Sequence, residues 1–274
     1  MPAADLHPES YRFLQDYVYR QSGIVLDGDK RYLLEARLMP IAKGIGLDNL
    51  NDLCGMLGGP ANNAILKRQV VEAMTTNETF FFRDPAQYDA LRLTVIPSLI
   101  ALRQDTRKMS FWSAASSTGQ EAYSLAMMLL EMGLGGWKIK IQGTDLSTQM
   151  AERARTARYL QIEVNRGLPV GYLVKYFTRV GLEWQLKDEV RRMVDFSTFD
   201  LRQSMSARGP YDVVFCRNVL IYFDVEAKRK ILDEIHGTLF RGGHLLLGGS
   251  ETTLNLTNRF ERRILGQTVL YQAP

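Results

Sequence analysis

The chain of 274 residues is poor in the side chains that build metal centres and covalent catalytic sites: it has two cysteines and three histidines. Cys54 and Cys216 form no CxxC pair. That excludes a disulfide framework and argues against a thiolate cluster. Both lie in apolar stretches and are read as reduced, buried thiols. The scattered histidines offer no metal cluster and no His-based nucleophile system, so no metal is expected. Long hydrophobic runs are missing too. The longest, such as AYSLAMMLL, fall well short of the roughly 20 residues of a membrane span. The start, MPAADLHPES, lacks a basic region followed by an apolar one, so no secretory leader is expected and the chain is placed in the cytoplasm. Charge of one sign is scarce: the net charge is +4 and the pI about 9.0. With no stripe of stacking aromatics on a basic surface, nucleic acid is not an expected partner.

What is present is an ordinary globular composition, 46% hydrophobic and 23% charged. Residues 1–76 read as short helices without period-2 alternation. Ser10 is a candidate cap for a helix presenting Tyr11, Leu14 and Val18 on one face. DGDKRYLLEARLMPIAK follows with Asp29 as cap, and Pro40 is expected to kink or end it. Leu50, Leu53 and Leu57 mark a third helix after Asp48, stopped by Gly58-Gly59-Pro60. Ile65 to Met74 marks a fourth. Asp84-Pro85 is a helix start with a carboxylate cap and proline at the first position. The polar and then aromatic TTNETFFF before it reads as a linker, residues 77–90.

From about residue 108 strands alternate with helices. MSFWSA, KIKIQGTD, MVDFSTFDL, YDVVFCRN, HLLLGGSE and ILGQTVLYQ read as strands. Helices are expected at about 119–132, 147–157 and 224–239, the last capped by Asp224. The pattern predicts an α/β domain over 91–274 with a mostly parallel sheet, whose ligands bind at the carboxyl ends of the strands. Residues 158–193 are too long for a plain connection and are read as an inserted subdomain, at about 172–195, with short antiparallel strands.

FWSAASSTGQEAYS is a strand, a small-residue turn and a helix start, but the turn has one glycine, Gly119. Phosphate-cradling turns use several, so that backbone N–H groups approach the oxygens. This turn suits a carboxylate or a ribose better than a pyrophosphate. Glu121 in the first helical turn and Asp145 at the end of the next strand supply acceptors. Asp145 stands where a ribose hydroxyl is commonly bound. Adenosine, an amino-acid head group and no phosphate describe S-adenosylmethionine. Taken singly, Glu121 also reads as a helix-dipole acid and Asp145 as a helix cap.

TTNETFFFRD, FWSAASSTGQEAYSLAMML, GTDLSTQMAERARTARY, YDVVFCRNVLIYFD and GGHLLLGGSE together resemble the CheR-type chemoreceptor glutamate methyltransferases, in family order over nearly the whole chain. The resemblance implies a small all-helical domain before an S-adenosylmethionine-dependent, Rossmann-like methyltransferase domain with an inserted antiparallel β-subdomain. It implies methyl transfer to glutamate side chains of chemoreceptors, leaving S-adenosylhomocysteine. Asn77, Thr79 and Arg83 match the family's cofactor-contacting linker, and Glu121 and Asp145 its acidic contacts. Asp200 and Leu201 match a position near the adenine where the family more often has Asn-Leu. Arg217 and Asn218 open the motif that ends in Tyr222. Arg83 and Tyr222 are the pair expected nearest the chemistry, as positioning groups. Lys30, Arg31 and Arg37 on the second helix are the expected receptor-recognition surface, Lys30 and Arg37 two turns apart on one side. The short loop in KYFTRVGLEWQLKDEV, with Gly181 alone, predicts independence from a receptor tethering peptide. A monomer is expected. The competing readings are a non-catalytic S-adenosylmethionine-binding signalling module and a small-molecule methyltransferase on the same fold.

Overall fold

Residues 6–59 and 63–274 are described by a computed structural model, which divides into a helical unit, Met1–Thr76 with Tyr222–Asp224, and a larger unit, Asn77–Ile221 with Val225–Pro274. In the helical unit, α1 (Pro8–Ser22), α2 (Arg31–Gly44), α3 (Leu50–Gly58) and α4 (Ala64–Met74) bury residues at helical spacing. Leu14 and Val18, then Leu34, Leu38 and Ala42, then Leu66, Val70 and Met74 close one core. The helix starts differ from expectation by one to three residues. α1 begins with Pro8 at its first position rather than at Ser10. α2 has Lys30, not Asp29, at its cap position. Asn49 rather than Asp48 caps α3, its side chain accepting from the Asp52 N–H at 3.0 Å. Asn63 caps α4 in the same way through the Leu66 N–H at 3.0 Å. α3 stops at Gly58-Gly59, and Pro60 lies outside the described residues.

Pro40 neither ends α2 nor caps it; the helix runs on to Gly44. Pro40 and Ala36 lie on the exposed side, where water can reach the carbonyl that the missing N–H would have met. On the other side Leu34, Leu38 and Ala42 are fully buried and anchor the helix in the core.

The larger unit starts with α5 (Pro85–Ala90), a π-helical turn at Leu91–Val95 and α6 (Ile96–Arg103). Then come β1 (Lys108–Ala114), α7 (Gln120–Glu131), β2 (Lys138–Asp145) and α8 (Thr148–Thr156). A connecting region holds β3 (Arg158–Leu160), α9 (Gln161–Val164), α10 (Val170–Tyr176), β4 (Phe177–Val180), β5 (Glu183–Leu186) and α11 (Asp188–Arg191). The chain ends with β6 (Val194–Thr198), β7 (Tyr211–Cys216), α12 (Val225–Gly237), β8 (Leu239–Leu247), β9 (Glu261–Leu265) and β10 (Thr268–Gln272). The large sheet has the order β6-β2-β1-β7-β8-β10-β9, parallel from β6 to β8. β10 runs antiparallel to both neighbours. β7 is buried along its whole length, as expected of a central parallel strand covered on both faces.

The expected single final strand over ILGQTVLYQ is a hairpin, β9 turning into β10 at Gly266, whose φ is 59°. The small antiparallel sheet has the order β3-β5-β4, so it takes its first strand from Arg158–Leu160, ahead of the stretch expected at about 172–195. It packs on the aromatic linker. Phe81 is fully buried and meets Tyr159 and Phe177 edge-on at 5.0 and 5.7 Å between ring centroids. Gly167, at φ 82°, lets the chain pass so close that a Cβ there would stand 2.0 Å from the Phe81 carbonyl oxygen. Both cysteines are buried, and burial pushes the Cys54 thiol up to about 11 and Cys216 well above its ordinary range.

Candidate active site

The parallel strands end in a row at Ala114, Asp145, Thr198, Cys216 and Leu247. Backbone strain collects at the loops leaving that rim and at the linker. Ala115, Ser117 and Asn218, with Phe82 and Asp84, all have φ between 49° and 59°. A non-glycine residue held there costs about 1–3 kcal/mol and persists where its surroundings over-determine it, typically at functional sites.

Asp145 is the reason the turn after β1 holds its shape. It is 6% exposed. One oxygen accepts from the Ser117 N–H at 2.8 Å and the other from the Ser147 N–H at 2.9 Å. Ser147 in turn caps α8, accepting from the Met150 N–H at 3.2 Å. The Ser117 hydroxyl donates to the Asn77 carbonyl at 2.8 Å, which ties the first linker residue to the same turn.

Glu121 is held by two donors from elsewhere at the rim. Its carboxylate accepts from the Ser113 hydroxyl at 2.7 Å and from Arg217 at 2.8 Å. Arg217, with a side chain 2% exposed, also donates to the Arg83 carbonyl and the Asp84 carboxylate, both at 2.6 Å. Arg217 and Glu121 therefore form a buried clamp between the ends of β1, β7 and the linker. The same contacts overturn the expected cap. Asp84 stands before α5, but its backbone is left-handed and its side chain makes no cap bond, because the carboxylate is turned to Arg217.

Arg83 is half-buried, with its guanidinium 5.3 Å from the Phe80 ring centroid and a long contact of 3.4 Å to the Glu78 carbonyl. Arg166 covers the same ring at 4.7 Å and pairs with Glu78, which lowers the Glu78 pKa. Thr79 is half-buried in this linker and Leu201 is 6% exposed beyond β6. Asp200 is gripped by Arg202, whose Nε and Nη2 reach its two oxygens at 2.6–3.1 Å, while the Arg202 N–H adds a bond of 2.9 Å. The Phe199 N–H bonds the Asp145 carbonyl at 2.8 Å, so this pair sits beside the β2 end.

Tyr222 belongs to the helical unit. Its carbonyl accepts from the Val25 N–H at 2.9 Å, and its side chain packs against the helical core. Asp224 accepts from the Tyr19 hydroxyl at 2.7 Å. Of the three bases expected on the recognition face of α2, one is hydrogen-bonded within the helical unit. Arg37 points its guanidinium at the carboxyl end of α4, donating to the Met74 and Thr75 carbonyls at 2.9 Å and to the Thr76 hydroxyl at 3.1 Å. Its donors are committed to closing a helix end. Lys30 and exposed Arg31 remain at the start of α2, Arg31 lying 5.4 Å from the Tyr11 ring centroid.

Glu251, to which the sequence reading assigns no role, organises the other side of the rim. One oxygen accepts from both the Asn218 and Gly248 N–H groups at 2.7 Å, and the other from the Ile221 N–H at 3.3 Å. A Cβ on Gly248 would lie 2.5 Å from the Asn218 amide nitrogen, so the approach needs glycine. The available signal was GGSE directly after a buried strand, where an acid faces backbone N–H groups at a turn. Glu251→Ala is expected to cost about 2–4 kcal/mol, because three N–H groups lose one charged acceptor. Urea unfolding checks this, and a midpoint within error of wild type would refute it.

Among the described residues, Ser116 Oγ, Asn218 Oδ1 and Arg217 Nε are buried at this rim with no hydrogen-bond partner in the chain. Buried polar atoms are normally satisfied, so a donor-rich and acceptor-rich ligand suits them. Asp145 adds an acceptor for hydroxyls. This set fits a nucleoside carrying an amino-acid group, and no group of His, Cys, Asp and Glu able to hold a metal is found among the described residues.

Residues 77–268 match the family described as CheR methyltransferase, SAM binding domain, and residues 9–75 match CheR methyltransferase, all-alpha domain. The chain is 38% identical to chemotaxis protein methyltransferase 1 of Pseudomonas aeruginosa, covering 100% of both chains. It is 37% identical to chemotaxis protein methyltransferase Cher2 of Pseudomonas putida, again over 100% of each. It is 33% identical to the chemotaxis protein methyltransferase of Salmonella typhimurium, over 94% of this chain and 88% of that one. With a helical first unit, a parallel sheet and a rim built around Asp145, the chain belongs to the CheR family of S-adenosylmethionine-dependent chemotaxis methyltransferases.

Proposed function

We propose that this chain methylates glutamate side-chain carboxylates of chemoreceptors, with S-adenosylhomocysteine as the second product and without a metal. The observation that carries the reading is the rim itself, where buried Asp145 shapes the turn after β1 and Arg217 clamps the linker beside it. When bound, S-adenosylmethionine supplies an electrophilic methyl group. The residues present suit an acceptor that needs no general base. A glutamate, with a reference pKa of about 4.3, is already ionised at neutral pH. The chain's task is then alignment. Arg83 supplies a planar fork of donors able to orient a carboxylate, and Tyr222 a hydroxyl for the same purpose. Asn77, Thr79, Glu121, Asp200, Leu201, Arg217 and Asn218 join Asp145 and Arg83 in the proposed cofactor set. Lys30 and Arg31 are the proposed contacts to an acidic receptor helix. The proposed division is a helical domain over 1–76, a linker over 77–90 and a monomeric enzyme.

The test is calorimetric titration with S-adenosylmethionine and S-adenosylhomocysteine, followed by transfer of labelled methyl to a soluble cytoplasmic receptor fragment. Binding and base-labile label on the fragment support the reading. Binding with no transfer leaves a non-catalytic module, and no binding to folded, ligand-free protein removes the reading altogether.

Tethering by a receptor C-terminal peptide is not expected to matter. The turn between β4 and β5 is tight, spanning Gly181 at φ 62° and Leu182. A peptide corresponding to such a tail should bind with a Kd weaker than about 1 mM, and micromolar affinity would refute this.

A further inference from the structure

A polar groove opens directly beyond Glu251. Its lining includes Arg229 from α12, Thr252, Leu254, Asn255 and Thr257 from the loop after β8, and Arg262 from β9. No carboxylate is among its lining residues. The Arg229 guanidinium bonds the Asn255 carbonyl at 3.2 Å, which holds the α12 wall against the loop. Two of the nearby acids are engaged elsewhere, while Glu226 stands one turn before Arg229 on α12. Asp233 accepts from the Thr257 hydroxyl at 2.9 Å and faces Arg259 at 3.5 Å, while Glu261 pairs with Arg263. Exposed apolar side chains accompany it: Leu254 in its lining at 71%, Val225 one turn before Arg229 on α12 at 51%, and Ile221, whose N–H bonds Glu251, at 48%. Lys228 and Lys230 flank Arg229 on α12.

We infer that this groove is a second docking surface for the methylation substrate, taking an acidic amphipathic helix; the inference rests on the function proposed above. The placement supports it. The Glu251 carboxylate holds the N–H groups of Asn218 and Ile221, and the groove wall begins at the next residue, Thr252. A glutamate side chain is short, so a helix delivering one to the rim must run over the surface next to it. Arg229 and Arg262, which form no ion pair among the described residues, match the carboxylates of such a helix. Leu254, Val225 and Ile221 match its apolar stripe, and threonine and asparagine side chains suit its polar edge.

The experiment compares wild type with Arg229→Glu/Arg262→Glu in methylation of a soluble receptor fragment without membrane. The receptor KM should rise about tenfold, with kcat within about twofold, as expected when uniform binding is lost and complementary charge is reversed. S-adenosylmethionine affinity should not change, which also reports that the variant is folded. Arg229→Gln/Arg262→Gln, the milder pair, should raise KM about threefold and flatten its salt dependence. An unchanged KM in both pairs overturns the groove. So does an unchanged KM accompanied by lost binding to phosphatidylserine vesicles, which would assign the surface to lipid. If wild type binds S-adenosylmethionine but leaves the fragment unmethylated, the functional reading falls, and the groove with it.

Discussion

Arg217→Met should unfold at markedly lower urea and bind S-adenosylmethionine at least about 100-fold more weakly, the loss expected when a buried charge network opens. Methionine keeps most of the volume, so the effect isolates the charge. Burial works against the guanidinium, yet the carboxylates of Glu121 and Asp84, with Tyr88, raise its pKa above the ordinary arginine value. Its removal strands Glu121, whose side chain is 13% exposed, beside Ser113 as its one remaining donor. Breaking a buried pair from one side costs about 3–5 kcal/mol. The Arg83 carbonyl and the Asp84 carboxylate lose their anchor as well, so residues 77–84 should become sensitive to limited proteolysis. Stability within about 1 kcal/mol of wild type would show that the clamp is not what holds the linker.

Asp145→Asn should weaken S-adenosylmethionine binding by about two orders of magnitude while leaving the protein folded. The substitution keeps size and shape. It replaces one acceptor oxygen by an NH2 group, and both oxygens now face backbone donors, Ser117 N–H and Ser147 N–H. One of these would meet another donor, so either the left-handed Ser117 turn or the α8 cap must give way. Calorimetry measures the affinity, and hydrogen exchange at the Ser117 and Ser147 amides tells which side yields. Affinity within threefold of wild type would separate Asp145 from the ligand and leave it a purely structural acid.

The sequence made the alternating strands, the helical first unit and the turn after β1 legible because each has a local cause. Apolar periodicity, a single glycine and an acid at a strand end can be read without knowing the partners. Where the reading missed, the cause lay far along the chain. Asp84 looks like a helix cap until Arg217, distant in sequence, takes its carboxylate. Arg37 looks like a surface base until the end of α4 arrives beside it. Pro40 reads as a kink or an end to its helix, and with Leu34, Leu38 and Ala42 buried α2 runs on past it to Gly44. Glu251 could not be weighted, since its three donors come from two separate loops. The β9–β10 hairpin was the avoidable miss. A Gly-X pair between two apolar runs is a known hairpin signal, and Gly266-Gln267 is one.

The Asp200–Arg202 pair makes two positions inseparable. An asparagine at the first position would need no neighbour to balance it. Here the aspartate carries a charge that Arg202 cancels through two forked contacts. An exchange of either residue alone, by drift or by an engineer grafting this rim onto a relative, leaves a single uncompensated charge, with 16% of the Asp200 side chain and 28% of that of Arg202 reaching solvent. In a chimaera built from this chain, Asp200 and Arg202 have to be carried across as one cassette.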